Sequence, residues 1–171
     1  AAVSLFLGRA SFSLDFSDPV YKDIVLDWRL PRIIAAVLVG GALSAGGAVL
    51  QTSFRNPLVS PDLLGVSAGA GLGAVLAMYL GAGHGIVVTA AFLGAILAVL
   101  LSSLAAAFAG RASVLSLVLS GVIVSAFAGA CLSLTLLLSD PAKALHGMMF
   151  WLTGSLSMAG LQQLPWLASL V

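Results

Sequence analysis

The sequence predicts an all-α fold, a polytopic bundle of transmembrane helices, on three observations. Of its 171 residues 61% are hydrophobic and 8% charged, against about 25% charged in an ordinary soluble domain, so charge cannot cover a water-exposed surface. Mean hydropathy is +1.17, and four apolar runs each approach or exceed the about 20 residues that carry a helix across roughly 30 Å of hydrocarbon. Nineteen glycines and no glutamate suit lipid, where small residues let helices approach closely.

The same composition excludes several classes. Seven Lys and Arg against six Asp leave a net charge of +1, without the basic patch that nucleic-acid binding needs. Disorder needs low hydrophobicity and high net charge. A single cysteine supports neither a disulfide framework nor a cysteine metal site.

In chain order, 1–7 is an apolar stretch about a third of a span long, expected to be the tail of a preceding helix. It lacks the cationic flank of a signal peptide. Residues 9–31 form the most polar segment, with Asp15, Asp18, Lys22, Asp23, Asp27 and Arg29, and read as an extramembrane loop. Its Tyr21 and Trp28 suit the membrane interface. Four spans follow within 32–138: Arg32 to Phe54, Leu63 to Ala82, Ile86 to Ala109 and Ala112 to Leu138. None carries an interior charge, and short breaks separate them at 55–62, 83–85 and 110–111. Membrane strands would alternate polar and apolar residues, which Ile86-Val87-Val88 and the run from Leu97 to Leu101 do not. The Leu63 helix should be the shortest and most irregularly started, because six glycines fall between Gly65 and Gly83. After Asp140-Pro141 a short amphipathic helix is expected over 144–152, with Leu145, Met148, Met149 and Leu152 on one face and Gly154 as the stop. Residues 164–171 begin a further span. The whole, 1–171, reads as one transmembrane domain.

Several literal motifs fail on context. Gly65-Val66-Ser67-Ala68-Gly69 fits G-x-S-x-G, and Asp140 and His146 follow in hydrolase order, but that elbow needs a preceding strand. Gly69-Ala70-Gly71-Leu72-Gly73 has neither the dinucleotide spacing nor its acidic partner. Proline in Asn56-Pro57 rules out glycosylation there, and His84 and His146 lack partners at ligand spacing. No catalytic set, metal site or cofactor is expected. What remains are small-residue rows, Gly40, Ser44 and Ala48 on one helix and Gly65, Gly69 and Gly73 on the next, for which bundle packing is the plain reading. Ser113, Ser116 and Ser120 form one stripe on the last span. It suits a water-filled path or hydroxyls bonded back to carbonyls one turn earlier, and the sequence leaves both open. Cys131 reads as a small apolar filler.

A family resemblance becomes specific at Arg29-Leu30-Pro31-Arg32. It strengthens through the run from Gly41 to Gln51, through Arg55-Asn56-Pro57-Leu58, and through Pro61-Asp62-Leu63-Leu64-Gly65-Val66-Ser67-Ala68-Gly69-Ala70. Phe150-Trp151-Leu152-Thr153-Gly154-Ser155-Leu156 extends it. The chain resembles the permease subunits of type II ABC importers, bacterial carriers of iron-siderophores, haem and cobalamin. Members have about twice this length, with ten spanning helices in two inverted repeats, so this chain corresponds to the first repeat. The resemblance implies a multi-pass protein of the bacterial inner membrane that is not itself an enzyme. Its implied partners are a second permease subunit, cytoplasmic ATPase subunits and an external binding protein, in lipid and without nucleic acid.

The resemblance also assigns residues. Arg29 and Arg32 are implied to dock the binding protein through its glutamates, the alternative being charges that snorkel at a helix end. Gly110, Arg111 and Ser113 map to a cytoplasmic gate. Ser116, Ser120, Gln51, Asn56 and Pro57 are candidates for the translocation path. The 9–31 loop and the 144–152 helix would then be external, against the positive-inside rule, which weighs Arg9, Lys22, Arg29, Arg32 and Lys143 on that side over Arg55 and Arg111 on the other. The implied cargo is a metal chelate, ferric siderophore first. Alternatives are haem, cobalamin or an oxyanion as cargo, a structural half-permease without its own path, or a small-molecule channel.

Overall fold

The computed structural model describes residues 24–57, 59–109, 113–140 and 145–156. Among these every regular element is helical. A π-helical turn, Ile24–Arg29, leads into α1, Leu30–Phe54; a 3₁₀ turn, Pro61–Leu64, precedes α2, Val66–Tyr79; then come α3, His84–Phe108, α4, Val114–Leu138, and the short α5, His146–Thr153. The chain divides into two compact units, Ala1–Gly46 with Ser155–Val171, and Gly47–Gly154.

In the first unit the helix starts earlier than the expected Arg32. Proline cannot donate to the carbonyl four residues back, here that of Asp27, and its ring clashes with it. The turn ahead of Pro31 is wound wide, as a π-helix, so the chain is helical from within the segment read as loop. Val25 is buried, Pro31 fully so, and Ala35 is 0% exposed. The part of α1 beyond them carries exposed side chains such as Val37 and Leu43.

The second unit is built on the contact between α2 and α3. A Cβ added at Gly69 or at Gly94 would strike the other's carbonyl oxygen, and one at Gly73 would strike that of Ala90. Glycines 69 and 73 of the expected row therefore face a matching row, Ala90, Gly94 and Ala98, and the two backbones touch. Gly65 turns instead toward α4, near Gly121 O and Ser125 Oγ. Around this seam Ala74, Ala77, Val87 and Ala91 form a buried cluster on which Trp151 of α5 packs.

Hydropathy alone predicts four full spans, and three helices reach that length: Val25–Phe54, His84–Phe108 and Val114–Leu138. The fourth, α2, is a correction. It has 14 residues, about 21 Å at 1.5 Å per residue, because glycine cuts it at both ends. Gly65 has φ 82 at its start. Gly81, φ 74, ends it, the Gly81 N–H donating to Met78 O at 2.9 Å and the Ala82 N–H to Ala77 O at 3.0 Å. That is a Schellman closure. It remains the shortest and most irregularly entered of the four, as the glycine count predicts.

Hydroxyls inside the helices are satisfied locally. Ser44, Thr52, Thr89, Ser103 and Thr135 each donate to the carbonyl four residues earlier, which makes them tolerable in an apolar medium. Large side chains point outward: Phe92, Phe108, Leu115 and Phe127 are all well exposed, an arrangement that suits lipid and not water. On α5 the inward residues are Met148, 0% exposed, and the half-buried Leu145, Trp151 and Leu152, while Met149 of the expected apolar face is exposed. Buried Ser139 holds the α4 end of this contact, its Oγ donating to Thr135 O at 2.6 Å and lying 3.4 Å from Met148 Sδ.

Candidate functional site

Arg29 and Arg32 lie at the head of α1, both half-buried. The Arg32 guanidinium carbon lies over the indole of Trp28, 5.5 Å from the ring centroid. The sequence reading assigned Trp28 to the membrane interface and missed this pairing. Its signal was the i, i+4 spacing of an aromatic and an arginine, which meet on one helix face.

At the other end of α1 the chain closes in a Schellman turn. The Arg55 N–H donates to Thr52 O at 3.2 Å and the Asn56 N–H to Gln51 O at 3.1 Å. Arg55 occupies the left-handed position, φ 48, which glycine usually fills. Two path candidates, Gln51 and Asn56, are thus joined through their backbones, and the Asn56 carbonyl accepts the Val59 N–H at 3.3 Å. Gln51 and Pro57 are exposed and Asn56 half-buried.

The chain then runs inward. Val59 and Leu64 are buried, Ser102 Oγ donates to Leu64 O at 3.0 Å, and Gly121 admits the Leu63 carbonyl so closely that a Cβ there would collide with it. Ser67, the centre of the discarded hydrolase motif, donates its hydroxyl to Asp62 Oδ1. That carboxylate bridges the 3₁₀ turn to the start of α2, at a helix N-terminus where negative charge is stabilised.

The serine stripe divides by role. Ser113 is the N-cap of α4: the Ser116 N–H donates to Ser113 Oγ at 3.1 Å, and the Ser113 N–H to Ser116 Oγ at 3.2 Å. This is a capping box with serine in the place usually taken by Glu or Gln, a role the sequence reading did not weigh. Ser120 is buried. Gly110 and Arg111, the other two gate candidates, lie outside the described residues. Ser113→Ala should cost about 1 kcal/mol of stability by removing the cap, read as a lower unfolding midpoint of the intact permease, with Ser113→Asp retaining most of it.

The capped end of α4 meets the turn after α1 around a cavity of about 380 Å³, lined by Asn56, Val59 and Leu63 on one side and Val114, Leu115 and Val118 on the other. Five of the six lining residues are apolar, with Asn56 the polar member. The structure therefore brings Asn56, and through it Gln51, to the first turns of the helix that Ser113 caps.

Three long apolar helices, a fourth shorter one zipped by glycine and polar turns between them define a multi-pass helical protein of the cell membrane. The chain belongs to the FecCD transport family, which it matches over residues 2–171. It is 48% identical over 139 residues to a protein of Helicobacter pylori named as an iron chelatin transport system permease, covering 80% of this chain and 40% of that protein. It is 34% identical over 178 residues to the molybdate import system permease of Haemophilus influenzae, covering 96% of this chain and 52% of that one. A solved structure described as an inward-facing conformation of a metal-chelate type ABC transporter superimposes with TM-score 0.80 at 36% identity, over 95% of this chain and 52% of that chain. The chain spans about half the length of the relatives it matches. These relatives are permease subunits, which are not themselves enzymes.

Proposed function

We propose that this chain is the first half of the permease subunit of an ATP-driven importer, and that its cargo is a metal chelate, ferric siderophore first. The observation that carries the reading is the 48% identity to a permease named for iron chelatin transport. The 34% identity to a molybdate permease keeps an oxyanion as the rival cargo. The partners in this reading are a second permease subunit, two cytoplasmic ATPases and an external binding protein.

In this mechanism the head of α1 and helix α5 face outward, where Arg29 and Arg32 receive the binding protein. The turn carrying Gln51, Asn56 and Pro57, the cavity beside it, and Gly110, Arg111 and Ser113 lie at the cytoplasmic mouth. Helix α4 lines the path between paired permeases, with Ser116 and Ser120 as its candidate polar positions. Irregular backbone such as the Arg55–Pro57 turn is tolerable at membrane depth where protein or a water-filled cavity surrounds it, and the cavity next to Asn56 supplies such a setting. A turn tied by two hydrogen bonds to the end of α1 can move with that helix as access alternates.

The test is uptake by the full-length permease reconstituted in liposomes with its ATPase and binding protein. Radioiron supplied as a ferric siderophore should accumulate with ATP and not without it. Accumulation of labelled molybdate in place of iron would shift the cargo to an oxyanion. Absence of any ATP-driven uptake would leave the structural half-permease as the better reading.

A further inference from the structure

We infer that Trp28 is a positioning residue for docking, holding the Arg32 guanidinium ready for a carboxylate on the external binding protein. The inference rests on the docking role proposed above for Arg29 and Arg32. Its own observation is the pairing at the head of α1, where Arg32 Cζ lies over the indole, 5.5 Å from its centroid. Trp28 is 61% exposed, so the pair faces outward, within reach of a partner.

The chemistry of the two groups makes the arrangement productive. A guanidinium meets an aromatic ring through its face, by attraction to the ring quadrupole. Its five N–H donors lie in its plane and stay directed away from the ring. An arginine held in this way can still offer two parallel N–H groups to one carboxylate, the bidentate geometry that makes such pairs strong. Holding the side chain beforehand also removes part of the rotamer entropy that docking would otherwise cost. The backbone beneath is firm. Buried Val25, Pro31 and Ala35 form the inner side of this helix start, and the wide turn Ile24–Arg29 determines where Trp28 stands relative to Arg32. Single wide turns of this kind recur at functional sites. An indole serving only as a membrane anchor would owe nothing to Arg32, and that difference is measurable.

The experiment is a double-mutant cycle in the full-length importer, assembled in nanodiscs, titrated with its own substrate-free binding protein. Arg32→Gln should weaken binding about tenfold or more. Trp28→Leu should weaken it about two- to fivefold beside an intact Arg32, and not at all in the Arg32→Gln background. Trp28→Tyr and Trp28→Phe should fall between wild type and Trp28→Leu, which keeps the test open if the leucine variant inserts poorly. Equal losses from Trp28→Leu in both backgrounds would overturn the positioning role while leaving docking by Arg32 intact. An Arg32→Gln variant that binds normally would overturn the docking reading, and this inference with it.

Discussion

Leucine at Gly94 is expected to cost the permease the upper end of the about 1–3 kcal/mol that overpacking a core typically takes, or more. The reason lies in what surrounds the position. A Cβ at Gly94 would strike the carbonyl oxygen of Gly69 and come within 3.3 Å of Gly73 Cα, so the obstruction is backbone and no side chain can rotate away. Helices α2 and α3 must separate, and the cluster of Ala74, Ala77, Val87 and Ala91, made of small side chains, cannot expand to fill the gap. Gly94→Ala should show the same effect at smaller size. Gly85→Ala is the control: nothing lies within 4 Å of the added methyl, and replacing a helical glycine by alanine favours the helix by roughly 0.5–1 kcal/mol. Thermal unfolding of the full-length permease in detergent should place the midpoints in the order Gly85→Ala, wild type, Gly94→Ala, Gly94→Leu. A Gly94→Leu midpoint equal to that of wild type would mean that the two backbones do not touch.

This seam also marks how far the sequence could be read. Polar breaks between apolar runs are sharp, so the ends of α1 at Phe54 and of α4 at Leu138 agree with the expected boundaries. Hydropathy carries no information on backbone dihedrals, which is why Leu63 to Ala82 read as one span although Gly65 and Gly81 turn left-handed inside it. The row at Gly65, Gly69 and Gly73 was visible from its spacing. Its partner row of Ala90, Gly94 and Ala98 was not, since pairing two rows requires knowing which helices touch. Nor could spacing show that Gly65 belongs to a different contact from the other two.

The functional residues were legible to different depths for similar reasons. Arg29 and Arg32 stood out only through the resemblance, because an arginine at a helix end is commonplace. Pro31 was read as the start of the helix, whereas the wide turn before it lets helix and proline coexist. The serine stripe was seen as a path or as back-bonded hydroxyls. Its first two members instead cap α4, and a capping box with serine at its third helical position lacks the Glu or Gln by which the motif is recognised. The cavity beside Asn56 joins residues about 60 apart in sequence, beyond the reach of any local pattern.

Reversing both docking charges, Arg29→Glu with Arg32→Glu, should weaken binding of the external binding protein by about 2–5 kcal/mol, the range for truncating one member of a buried, hydrogen-bonded charge pair. Left exposed, such a pair contributes only about 0–1 kcal/mol, so the size of the loss reports how far docking removes water from it. Both arginines are already half-buried in the free chain, and Arg32 sits against Trp28, so a partner's carboxylate would meet guanidinium groups that have shed part of their hydration. Salt provides the second signature. Attraction between opposite charges is screened over about 8 Å at physiological ionic strength, so wild-type binding should weaken as salt is raised. The double variant, presenting like charge to an acidic partner, should bind weakly at low salt and regain affinity as salt increases. Lysine at the partner's acidic positions should restore part of the loss, while membrane insertion and assembly with the ATPase stay unchanged, because neither uses the outer end of α1. Normal binding by the double variant across the whole salt series would reduce these arginines to anchors at the membrane surface.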